Sequence, residues 1–147
     1  MKFENINELL VSLLLWITTN TDYNEIGFKP NLEFISQKEL STLVCERPCE
    51  IMAYTPPNPK NKIFLVDTLK PLTNVCDRGI LLHELIHVFQ NYSEKFNNFE
   101  ERTKKHMREM EALVNHNRFL STYGKKILYS NGFAGKFKSN TKDNLYC

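Results

Sequence analysis

Ile6, Leu9, Leu10, Leu13, Leu14 and Ile17 recur at the i, i+3, i+4, i+7 spacing of a helix face, so the chain begins with an amphipathic helix. Val11 and Leu15 widen its apolar side, which predicts a helix largely covered by the rest of the protein. Residues 20–30 are polar, are broken by Gly27 and Pro30, and read as a loop. Residues 32–35 alternate as a short strand, and Ser36 three positions before Glu39 opens a helix to about Val44. Residues 50–54 and 62–66 are β-rich runs on either side of a proline-stiffened turn at 55–61, the pattern of a long-looped hairpin. From about Asn74 to Tyr92 the spacing turns helical, with Val75, Gly79, Leu82, Ile86 and Phe89 near one another. A second long helix is predicted from about Glu100 to Tyr123, with Met107, Met110, Leu113, Val114 and Leu120 inward and Gly124 as its stop. These elements give an α+β domain over residues 1–129, with a small antiparallel or mixed sheet packed on the first helix and the first long helix. Residues 130–147 form a polar tail.

The 147 residues suit one domain, and 41% hydrophobic with 24% charged residues is the balance of an ordinary globular protein. A net charge of +2 gives no pull toward nucleic acid, and the basic residues at 102–105 are interleaved with Glu100, Glu101, Glu109 and Glu111 nearby. The apolar run at 9–17 resembles a signal core, but Glu4 and Glu8 precede it and no small-x-small site follows. It is also well short of the ~20 residues a bilayer span needs. No membrane span is expected. Cys45 and Cys49 lack the CxxC spacing, so the four cysteines are expected as reduced structural thiols, with a disulfide pair as the alternative. The expected compartment is cytoplasmic, with secretion by an atypical N-terminal signal left open.

The chemistry concentrates at His83-Glu84-Leu85-Ile86-His87. Residues four apart on a helix lie one turn above each other, so His83 and His87 can aim at one metal ion. Glu84 projects about 100° away, beside the ion rather than onto it, where a carboxylate can accept a proton from water. Two histidines and a glutamate in an apolar helix are costly unless something satisfies them. A third ligand is expected from the second long helix. Glu111 is the leading candidate, with Glu109 and His106 as alternatives, and Asn115 one turn beyond is placed to brace a histidine. Tyr92, Tyr123, Tyr129 and Arg118 are candidates to stabilise an oxyanion.

The HELIH helix, followed by a helix carrying Glu111-Ala112 and Asn115, resembles the gluzincin branch of the zincin metallopeptidases over about residues 50–121. The segment LLHELIHVFQ is also loosely similar to the mitochondrial metallopeptidase that processes an ATP-synthase subunit, although its Glu-Ile-Arg-Ala signature is missing here. The metzincin continuation after His87 is absent. The resemblance implies Zn2+ held by His83, His87 and Glu111, Glu84 as base, and hydrolysis of a peptide or protein substrate. It also implies that residues 62–66 form the edge strand along which substrate lies. Two other readings are left open: a zincin-like fold that holds its metal but acts as a binding module, and a metal-free helical interaction module.

Overall fold

The computed structural model describes residues 2–25, 27–127 and 147. Its elements are helix α1 (Ile6–Asn20), strand β1 (Asn31–Ile35), helix α2 (Gln37–Val44), strands β2 (Ala53–Tyr54) and β3 (Lys62–Val66), and helices α3 (Val75–Tyr92) and α4 (Glu101–Ser121). The domain is α+β, as the chain's patterning implies.

Helix α3 is the centre of the molecule. Its start is fixed by Asn74, whose side chain accepts from the backbone N–H groups of Cys76 and Asp77 at 2.9 and 3.1 Å. Every residue from Arg78 to Gln90 is buried, which a helix apolar on most of its circumference requires. Arg78 is accommodated because its guanidinium donates to the carbonyls of Pro71 and Leu72 at 3.0 and 2.9 Å and stacks on Phe3. The sheet and α4 both pack on α3, and α1 rests on it through a smaller contact. The sheet also meets α2. The first helix was expected to carry the sheet, and its main partner is instead α3.

The sheet has the order β1-β3-β2, with β1 parallel and β2 antiparallel to β3. The β2–β3 pairing confirms the hairpin (Ala53 opposite Leu65, Tyr54 opposite Phe64). Because β1 joins on the far side, in register from Asn31 opposite Lys62 to Ile35 opposite Val66, β3 is the central strand and not an edge. The edges are β1 and β2.

Two expectations about apolar faces need correction. Val11 and Leu15 stand 68% and 65% exposed, because α1 buries only the Leu9, Leu10, Leu13 and Ile17 side. On α4, Met107 and Val114 are exposed, whereas Ala112, Leu113, Asn115, His116, Phe119 and Leu120 are buried. Gly124 does take the left-handed φ of 70° that ends a helix.

The cysteines are not reduced thiols. Cys45 pairs with Cys49, and Cys76 at the start of α3 pairs with Cys147. The tail expected at 130–147 lies outside the described residues except for Cys147, which is buried. The bond to Cys147 spans 71 residues and encloses both long helices. Constraint of the unfolded chain over such a loop is worth about 4 kcal/mol, against about 2 kcal/mol for the short Cys45–Cys49 loop. The Cys76→Ser, Cys147→Ser double variant should therefore lose roughly twice as much unfolding free energy in urea as Cys45→Ser, Cys49→Ser. Equal losses would contradict this.

Candidate metal centre

The four histidines of the chain all lie on α3 or α4, and three of them converge where these helices cross. His83 and His87 project from the same side of α3, ring centroids 5.0 Å apart. Opposite them is Glu109: its Oε1 lies 2.7 Å from His87 Nε2 and its Oε2 lies 3.5 Å from His83 Nε2. One donor atom from each of the three residues falls within 4.8 Å of the other two, a group able to hold a metal ion. The set offers two borderline imidazole nitrogens and one hard carboxylate oxygen from two packed helices.

Glu109, not Glu111, is the carboxylate that faces the histidines. The two positions differ by about 200° around a helix, so only one can point at the pair. The stripe of α4 that meets α3 runs through Ala112, Leu113, His116 and Leu120, and Glu109 continues it toward the N-terminus. Glu111 takes the neighbouring face. There it accepts hydrogen bonds from the Tyr23 hydroxyl and from Gln90 Nε2 at 3.0 Å, and pairs with Lys95 at 2.6 Å. His106, the other alternative, is exposed on α4.

Each histidine is oriented from its far nitrogen. His87 Nδ1 donates to Gln90 Oε1 at 2.7 Å, which directs Nε2 toward Glu109. Gln90 is in turn fixed by donating from Nε2 to Glu111 and to the Arg108 carbonyl. Glu111 therefore supports the centre at one remove, through Gln90. His83 Nδ1 lies 3.3 Å from Nδ1 of the fully buried His116, so one proton is shared there and His83 Nε2 faces the carboxylate. Asn115 was the expected brace. It instead donates to the Glu111 carbonyl at 3.0 Å, and the adjacent His116 does the bracing.

Gly79 explains how His116 comes so near. It sits one turn before His83, and a Cβ built there would lie 2.8 Å from His116 Nε2 and 2.9 Å from Leu120 Cδ2. Only a residue without a side chain lets α4 approach this closely. Gly79→Ala is expected to cost about 1–3 kcal/mol of stability through overpacking, and to shift His116 away from His83. Thermal unfolding and the imidazole NMR signals of His83 report the two effects; an unchanged melting temperature with unmoved signals would contradict them.

The electrostatics suit a cation. Burial resists the charge on Glu109, but the hydrogen bonds and positive charge of His83 and His87 outweigh it and hold its pKa well below the carboxylate range. Burial likewise opposes protonation of His87, and is overcome by Glu109 and Glu84, so its pKa rises. Burial and the nearby His83 both oppose charge on His116 and hold its pKa well below the ordinary imidazole value.

Glu84 is buried beside this group, and burial raises its pKa despite the opposing pull of His87 and His83. The Thr55 hydroxyl reaches it from the residue after β2, 3.2 Å from Oε1 and 3.3 Å from its backbone oxygen. Four participants escaped the sequence reading in these roles: Thr55, Gly79, Gln90 and His116. Gln90 and Gly79 stand one turn either side of the motif on its own helix, which is a visible signal. Nothing local marks Thr55 or His116.

Of the oxyanion candidates, Arg118 is occupied by the Asn20 carbonyl at 2.8 Å, Tyr92 is stacked on Phe28 at the surface, and Tyr123 is on the surface beside Phe119. Tyr129 lies outside the described residues. No family model, curated protein or solved structure matches the chain. Any functional reading therefore rests on the motif and on this geometry.

Proposed function

We propose that the protein is a small zinc-dependent peptidase in which His83, His87 and Glu109 hold the ion and Glu84 moves the proton. The convergence of two imidazoles and a carboxylate, with a second buried carboxylate next to the first histidine, carries this reading. Two nitrogen donors and one oxygen donor, from His83, His87 and Glu109, are a set that would hold Zn2+. When bound there, zinc would supply Lewis acidity toward a carbonyl and water. Glu84 then accepts a proton from the attacking water and passes it to the departing amine. Thr55 fixes the carboxylate, and β2 just before it is a sheet edge to which an extended peptide can add.

All four cysteines are paired, which supports action in an oxidising compartment rather than the cytoplasm. No helix among the described residues is long and apolar enough to cross a membrane.

The test is metal analysis together with cleavage of a mixed peptide library. One zinc per chain is expected, with cleavage abolished by a chelator and restored by zinc. Cleavage that survives complete metal removal would overturn the proposal. One tightly held zinc without cleavage of any peptide would favour the binding-module reading.

A further inference from the structure

Arg108 precedes Glu109 on α4, yet its half-buried guanidinium is held by neutral oxygens alone. Its Nε donates to Gln90 Oε1 at 3.1 Å, and one terminal nitrogen donates to Asn91 Oδ1 at 2.7 Å and to the His87 carbonyl at 3.4 Å. Among the described residues no carboxylate comes within ion-pairing distance of it. Glu109, Glu101 and Glu111 act on it only from farther off. A guanidinium withdrawn from water is ordinarily matched by an anion, and its planar fork fits the two oxygens of a carboxylate.

The same arginine lines a cavity of about 300 Å³ between the 55–61 loop, the end of α3 and the first turns of α4. Three cations, Lys60, Lys104 and Arg108, face it against one carboxylate, Glu94. Lys60 rests over the Tyr92 ring at 5.5 Å, and neither lysine has an ion-pair partner among the described residues. The loop wall is fastened by Asn91, which donates to the Pro56 and Lys60 carbonyls at 3.0 Å each. The volume is at the small end for a ligand site and suits the end or one side chain of a peptide. Gln90 joins this cavity to the metal centre, since its Oε1 receives both His87 and Arg108.

We propose that this cavity is a carboxylate-binding subsite, one glutamine away from the metal centre. The carboxylate is either the C-terminus of a peptide or an Asp or Glu side chain. That it belongs to the substrate rests on the peptidase reading; that the cavity binds it does not.

The experiment uses the full chain as purified, carrying Glu84→Gln so that binding is read without turnover. Three N-acetylated tetra-alanine probes are titrated by calorimetry: a C-terminal acid, a C-terminal amide, and an amide with one Ala replaced by Glu. Binding of the acid or of the Glu-containing amide is expected, with the neutral amide at least tenfold weaker; which of the two binds identifies the source of the carboxylate. Lys104→Glu should weaken the bound probe by about tenfold or more, whereas Lys38→Glu on the remote helix α2 should leave it unchanged. Circular dichroism confirms that both variants fold. Equal binding of all three probes, no binding of any, or indifference to Lys104→Glu would overturn the subsite. Wild-type zinc content and library cleavage alongside such a result would leave the peptidase reading standing.

Discussion

Glu84→Gln is expected to reduce peptide hydrolysis by about 10²–10⁴-fold, the usual contribution of a general acid–base group, while zinc content stays at the wild-type level. The substitution keeps the shape of the side chain and an oxygen for the Thr55 hydroxyl to donate to, so the site's architecture is preserved. It removes only the ability to take up and release a proton. Because burial already disfavours the Glu84 charge, the neutral amide should not lower the melting temperature. Hydrolysis rate, bound zinc and melting temperature together separate loss of the base from loss of the fold. A variant that cleaves at the wild-type rate would remove Glu84 from the chemistry.

The part of the site carried by one helix was legible in the chain. Helical spacing alone puts His83 and His87 on one side and Glu84 beside them, and the structure keeps that arrangement within a buried α3. What comes from a second helix was not, because its rotation is set by partners that sequence periodicity cannot display. Met107, Met110, Leu113, Val114 and Leu120 look like the inward stripe. Glu111 is favoured because 24 residues separate it from His87, enough for an antiparallel helix to return it to the metal, and because the gluzincin resemblance puts the third ligand there. The real stripe includes Glu109 and His116, polar residues that a hydrophobic pattern assigns to the surface. They turn inward because α3 offers them His83 and His87, while Tyr23, Lys95 and Gln90 give Glu111 a satisfied place elsewhere.

The same limit governs the rest of the fold. The β2–β3 hairpin is local and was readable, but β1 pairs with β3 across 31 positions, so the edge strand could not be identified from the hairpin. The Cys76–Cys147 bond spans 71 residues, and no spacing rule reaches that far. The exposed Val11 and Leu15 make the complementary point: an apolar residue next to a buried stripe is not thereby covered.

The largest expected effect on metal binding separates the two glutamates. Glu109→Gln replaces an anionic donor facing both histidines and leaves the imidazoles with no carboxylate opposite. Affinity should fall by more than about a hundredfold, beyond what loss of an outer partner costs. Glu111→Gln touches the centre only through Gln90, so its loss should stay within about 10–100-fold. A competitive zinc titration of the wild type and these two variants is the most direct measurement. One site is expected in the wild type and in Glu111→Gln, with Glu109→Gln the weakest of the three. Wild-type zinc affinity in Glu109→Gln, or a greater loss in Glu111→Gln, would contradict the assignment of His83, His87 and Glu109 as the metal centre.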